Sequence, residues 1–133
     1  MNKKHIDVVA AVLKNGNEFL AVQRSFSKLD YISHKWEFPG GKIEANETLI
    51  AAITRELNEE LNITITEPQF LLATVHSYPD FDITIHCFVI ELSNRQLELT
   101  EHINSLWLSK KQLWDVDWAA ADIAIVEKLL ITF

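Results

Sequence analysis

Glu56, Glu59 and Glu60 sit one helical turn apart or less, downstream of the glycine pair Gly40-Gly41, and they are the side chains of this sequence best placed to do chemistry together. At 100° per residue Leu49, Ile50, Ile53, Leu57 and Leu61 fall within one arc of about 120°, an apolar stripe suited to packing on a sheet. The three glutamates flank that stripe. Glu56 and Glu60 are i,i+4 neighbours and Glu56 and Glu59 are i,i+3 neighbours, so each like-charged pair costs roughly 0.2–0.5 kcal/mol unless a cation screens it. Converging carboxylates offer hard oxygen ligands, which suit Mg²⁺ or Mn²⁺ held through few protein groups, waters and substrate phosphates. The competing reading of three glutamates alone is a solvated acidic face.

The residues around them narrow the choice. Gly41, Glu47 and the run Arg55-Glu56-Leu57-Asn58-Glu59-Glu60, closed by Asn62 and Ile63, resemble the Nudix box of the Nudix hydrolases, here spanning residues 41–63. One defined position departs: Asn62 stands where the family usually has glycine. Asparagine is the next residue to tolerate the left-handed conformation that ends a helix there. The lead-in Trp36-Glu37-Phe38-Pro39-Gly40-Gly41-Lys42-Ile43-Glu44, Glu101 six residues before Trp107, and Ala121-Asp122-Ile123 are similar to landmarks of the MutT-type branch, whose members cleave nucleoside triphosphates to monophosphate and pyrophosphate. The similarity runs through nearly the whole chain.

The resemblance implies a Mg²⁺-dependent hydrolase, with Mn²⁺ as substitute, in which Glu56, Glu59, Glu60 and the carbonyl of Gly40 hold metal. Hydrolysis of a phosphoanhydride needs charge neutralisation on phosphate oxygens and an in-line water. Glu101 matches the loop glutamate that MutT-type enzymes bring over the metals, either as a ligand or as the acceptor of the water's proton; a solvated loop acid is the plain alternative. Arg55 is expected to orient Glu56 through a tie to Glu47 at the helix start, and Glu44 stays undecided between solvent and the outer metal shell. Arg24 resembles the family's phosphate-binding arginine. Phe38, Tyr78 and Phe81 are candidates to stack on the base, each with an aromatic-core alternative.

Asp122 stands where the MutT prototype has an asparagine that reads oxidised guanine with a donor and an acceptor. An ionised aspartate only accepts: it suits the N–H groups of guanine or 8-oxoguanine, opposes the base O6, and equally suits a cytosine amino group. The expected substrate is therefore 8-oxo-dGTP, in nucleotide-pool sanitation, with CTP or a modified dCTP as the alternative; a helix N-cap is the structural reading of the same residue. A binding module that kept the fold and lost the chemistry is a more distant alternative, disfavoured by the intact glutamates. A nucleoside-diphosphate-sugar enzyme is disfavoured by the MutT-type landmarks.

Composition sets the frame. At 133 residues the chain is expected to form one domain, 1–133, burying roughly two thirds of its unfolded surface. A net charge of −7 excludes the basic stripe of a nucleic-acid binder and is compatible with a phosphorylated substrate screened by metal. Cys87 is the single cysteine, which rules out an internal disulfide. No apolar run approaches a membrane span and no cleavage signature follows the N-terminus, so a cytoplasmic protein without membrane contact, monomeric or weakly dimeric, is expected.

The positioning elements follow from pattern. Ile6–Leu13 and Glu18–Gln23 predict strands joined at Asn15-Gly16, and residues 25–35 an irregular loop. A helix is expected from Asn46 as N-cap to Leu61. Strands are expected at Ile63–Ile65, Phe70–His76, Ile83–Leu92 and Ser105–Leu108, with a turn at Tyr78-Pro79-Asp80, and helices at Lys110–Leu113 and Ala119–Ile131. His34, His76, His86 and His102 read as satisfied or solvated, and the four tryptophans as core or pocket wall. The fold expected is α+β, a mixed sheet between helices, which is also the Nudix fold.

Overall fold

The computed structural model describes residues 3–133. The long strand β1 (Lys4–Asn15) turns at Gly16, whose φ of +63° suits a residue without a side chain, into β2 (Glu18–Gln23). Two very short strands follow, β3 (Trp36–Glu37) and β4 (Gly40–Lys42), then helix α1 (Leu49–Leu61), β5 (Gln69–Ser77), β6 (Phe81–Glu91), β7 (Asn104–Ser109) and helix α2 (Ile123–Thr132). Single 3₁₀ segments cover Lys110–Asp115 and Ala120–Asp122. The described strands join in one mixed sheet of order β3-β2-β1-β6-β5, with β4 also on β1 and β7 also on β2. Its centre is the parallel pair β1–β6, in register from Lys4 opposite Phe81 to Lys14 opposite Glu91.

Both central strands are apolar in consecutive positions, as a sheet covered on both faces requires. Alternate residues of β1 feed two cores. Val9, Ala11 and Leu13 pack with Leu20, Phe88 and Ile90 against Ala52, Ile53, Leu57 and Leu61 of α1. Ala10 and Val12 pack with Phe19, Ile85 and Cys87 against Ile125, Val126 and Leu129 of α2. The fold is thus α+β with a helix on each face. Each leucine or isoleucine so buried contributes about 1.5–3 kcal/mol, which holds α1 to the sheet and fixes which way its other faces point.

Several expectations are corrected. Helix α1 begins two residues later than expected: Asn46 is in a left-handed turn at φ +67°, and Thr48 is the N-cap, its hydroxyl accepting the Ala51 N–H at 3.1 Å. Ile50 points to solvent, because the stripe starts in earnest only at Ala52. Ile63 and Ile65 are buried but form no strand; the Ile63 N–H turns back to the Leu57 carbonyl at 3.4 Å instead of to a neighbouring strand. Lys110–Asp115 is 3₁₀, and the last helix proper starts at Ile123. Trp114 is exposed and lines no core. Asn62 ends α1 at φ 55°, ψ 41°, with its N–H on the Asn58 carbonyl at 3.0 Å, as its left-handed role requires. Among the described residues no helix is long and apolar enough to cross a membrane.

Candidate active site

Glycines set the floor of the site. Gly40 and Gly41 lie on β4, antiparallel to Ala10 and Val9 of β1. A Cβ on Gly40 would stand 1.9 Å from the Val9 carbonyl oxygen, and one on Gly41 2.4–2.6 Å from the Glu56 carboxylate. Only a bare backbone lets α1 bring Glu56 this close to the sheet.

Above that floor Glu56, Glu59, Glu60 and Glu101 line one cavity of about 400 Å³, together with Arg24 and Gly40. Glu60 is 5% exposed, and its Oε2 is buried with no hydrogen-bond partner among the described residues. Burial first, then the charges of Glu56, Glu37 and Glu101, push its carboxyl up to about 9. A buried acid crowded by three others, with an oxygen left over, offers the hard donors a divalent cation takes and makes a poor structural group without one, although among the described residues no three such side chains are drawn together into a metal cage.

Arg55 is the hub beside this cavity. Its Nε and Nη2 grip Glu47 at 2.7 and 2.8 Å, Nη1 donates to Glu56 at 2.8 Å and Glu59 at 3.2 Å, Nη2 reaches the Lys42 carbonyl at 3.0 Å, and Glu44 lies 3.6 Å away. The forked contact with Arg55, reinforced by the Glu44 N–H at 2.8 Å, brings the Glu47 carboxyl down to about 2. Glu47 precedes the N-cap, so the helix dipole has no direct part in this; the arginine does the work. The hydrogen bonds to Glu47 and then Glu56 raise the already high pKa of Arg55 further, against the opposing effect of burial.

The loop carrying Glu101 is pinned to the end of α1. The Thr100 hydroxyl donates to the Glu59 and Glu60 carbonyls at 3.1 and 3.0 Å, and the Ile103 N–H reaches the Gln23 carbonyl. Between these anchors stands His102, whose Nε2 meets Glu37 Oε2 at 2.9 Å with its side chain 5% exposed. His102, read from the sequence as satisfied or solvated, is the satisfied kind; its partner Glu37 lies 65 positions away, and local composition carries no signal of that contact.

A second, smaller cavity of about 110 Å³ adjoins the first and is lined by Phe38, Asp122, Ile83 and Ile85, with Arg24, Glu37, Gly40 and Gly41 on the shared side. Asp122 is buried, and its Oδ1 accepts the Phe38 N–H at 3.0 Å. It stands at the N-cap position of α2, as expected, but its side chain makes no cap hydrogen bond there and is turned to Phe38 instead. Burial, and then the charge of Glu37, hold its carboxyl well above the usual range. Phe38 stacks on Trp118 with ring centres 4.6 Å apart. The other two stacking candidates are not there: Tyr78 is buried with its hydroxyl accepting the Ala121 N–H at 3.0 Å, and Phe81 packs on the same core. Arg24 borders both cavities, 3.3 Å from Glu37.

Comparison with known proteins agrees with this geometry. The NUDIX domain family model matches residues 3–129. The 8-oxo-dGTP diphosphatase of Proteus vulgaris is 41% identical over 76% of this chain and 88% of its own length. The CTP pyrophosphohydrolase of Escherichia coli K12 is 31% identical over 96% of this chain and 93% of its own. The solution structure of a MutT protein from methicillin-resistant Staphylococcus aureus 252 superposes with a TM-score of 0.76 and 35% identity, covering 99% of this chain and all of that one.

Proposed function

The chain belongs to the Nudix hydrolase family, in its MutT-type branch, and is a hydrolase of phosphoanhydride bonds; from that premise we propose that it is a Mg²⁺-dependent nucleoside triphosphate pyrophosphohydrolase acting on 8-oxo-dGTP. The carrying observation is the buried Glu60 carboxyl, whose Oε2 has no hydrogen-bond partner among the described residues, lining one cavity with Glu56, Glu59 and Glu101 beside a second that holds Phe38 and Asp122.

Glu56, Glu59, Glu60 and the Gly40 carbonyl would hold the metal, and Glu101 would close the site from its loop. Bound Mg²⁺ supplies charge neutralisation on the phosphates and a water acidified enough to attack. Arg55 keeps Glu56 and Glu59 aimed without touching substrate, because its donors are already committed to carboxylates. Arg24 binds phosphate from the wall between the cavities. Glu101 stays on its tether while accepting a proton, since Thr100 holds the loop through main-chain carbonyls.

The base reading rests on the protonation of Asp122. A buried neutral carboxyl donates through one oxygen and accepts through the other, as an asparagine amide does. Its Oδ1 takes the Phe38 N–H, leaving an O–H for the O6 of 8-oxoguanine and a lone pair for the N7–H that oxidation creates. A cytosine triphosphate is the second reading, favoured by similarity to the CTP pyrophosphohydrolase over 96% of the chain. The test is pyrophosphate release with Mg²⁺ across 8-oxo-dGTP, dGTP, CTP, 5-methyl-dCTP, dATP and ADP-ribose, scored by kcat/KM. 8-Oxo-dGTP leads if the reading is right, and Glu59→Gln abolishes turnover of every substrate; leadership by CTP or 5-methyl-dCTP replaces the base assignment, and no Mg²⁺-dependent release replaces the whole.

A further inference from the structure

We propose that Glu37 reads a sugar hydroxyl of the bound nucleotide and that His102 is the positioning residue that aims it. The inference rests on the nucleotide reading above. If phosphates occupy the carboxylate-lined cavity and the base the Phe38–Asp122 cavity, the sugar must cross the wall the two share. That wall consists of Arg24, Glu37, Gly40 and Gly41. The glycines present no side chain, and arginine has donors only. A sugar hydroxyl both donates and accepts; its proton needs an acceptor, and Glu37 is the side chain on that wall that offers one.

Two further observations support it. The charge of Glu37 acts against its neighbours, raising both the Glu60 and the Asp122 carboxyls. A carboxylate in that position costs stability on both sides, so packing alone does not account for it. Yet it is held with care: Oε1 faces Arg24 Nη1 at 3.3 Å and Oε2 accepts from His102 Nε2 at 2.9 Å, with the Glu37 side chain 17% exposed. An ionised carboxylate retains further lone pairs after two such contacts, and these are the ones available to substrate. His102 commits its Nε2–H to Glu37 and leaves Nδ1 buried without a partner among the described residues. Burying an unpaired nitrogen is unfavourable, and the Glu37 contact is the one hydrogen bond that the histidine side chain makes.

A charge-assisted hydrogen bond to a hydroxyl discriminates against the analogue lacking it by roughly 10–100-fold. The experiment measures kcat and KM of the full-length protein with Mg²⁺ for ribo-, 2′-deoxy- and 2′,3′-dideoxynucleoside triphosphates, in a guanine and a cytosine series. In the wild type the dideoxy compound should fall at least about 10-fold below the better of its two hydroxylated counterparts. Glu37→Ala should bring that ratio to within about twofold of one, through KM more than kcat. His102→Phe should do likewise, while His102→Gln, which can still donate, keeps the discrimination. A merely structural role lowers all three sugars equally and leaves the ratio standing, which overturns the proposal. A wild-type ratio near one overturns it as well, even if Glu37→Ala fails to fold. Absence of turnover with every nucleotide removes the hydrolase reading and this one together, whereas turnover without sugar discrimination removes this one alone.

Discussion

Replacing Glu60 by glutamine should change how the metal-free protein responds to pH. The Glu60 carboxyl titrates at about 9 in the folded chain and at 4.5 as a free side chain. A carboxyl raised on folding favours the native state fully below 4.5; that advantage is lost as pH rises, because the unfolded chain sheds its proton first, and the loss ends near 9. At ~1.36 kcal/mol per pH unit, the 2.5 units between 4.5 and pH 7 amount to about 3 kcal/mol, or roughly 10 °C in Tm for a chain of this size. Glutamine cannot titrate. Urea unfolding in EDTA at pH 5, 6, 7 and 8 should therefore show the variant gaining on the wild type by about 1.4 kcal/mol per pH unit. Comparing slopes removes any fixed cost of the buried amide. Mg²⁺ should flatten the wild-type slope, since it favours the ionised carboxylate, and leave the variant unmoved. Parallel curves for the two proteins would refute the idea that Glu60 is a buried acid held neutral until a cation arrives.

Three other outcomes follow from the same geometry. Gly41→Ala places a Cβ 2.4 Å from the Glu56 carboxyl carbon and should lower kcat/KM by about 10–100-fold with the fold retained by circular dichroism. Arg55→Lys keeps the charge but loses the fork on Glu47; activity should fall by about 10–100-fold, and the Glu47 resonance in an NMR titration should move up from about 2 toward ordinary carboxylate values, so that the stabilisation the wild type has above 4.5 and loses progressively as pH falls toward 2 is largely absent from the variant. Asp122→Asn should keep 8-oxo-dGTP hydrolysis within about 10-fold and remove any decline in kcat/KM at high pH, whereas Asp122→Leu should lose about 100-fold or more in a steady-state assay.

The carboxylate-lined half of the site was legible because a helix converts spacing directly into direction. Once Leu57 and Leu61 face the sheet, Glu56, Glu59 and Glu60 have little freedom in where they point. Asp122 was also legible as a position, but its chemistry was not: whether it is ionised depends on burial against residues 84 positions away, such as Phe38. The same limit hid His102 and Glu37, whose contact joins a loop to a two-residue strand. Strands β3 and β4 were missed because Pro39, Gly40 and Gly41 read as chain breakers, and such short stretches become strands only through pairing with β2 and β1. Ile63 and Ile65 gave the opposite error, since alternation reports burial and not a pairing partner. Tyr78 and Phe81 looked like base platforms by being aromatic near a turn; their side chains instead fill the space under α2.

The long parallel ladder between β1 and β6 also governs timing. Partners there are 77 positions apart, from Lys4 with Phe81 onward, so the ladder closes late and across a large loop. Until it does, β1 has no neighbour on that side, β4 has an unfinished strand to dock on, and the acidic helix has only half a surface beneath it. A ribosome-bound chain that has emerged only as far as Leu61 carries every acid of the helix and still lacks the platform that would aim them, so nucleotide cleavage during synthesis should appear abruptly, after the second half of the polypeptide is out, rather than growing with length.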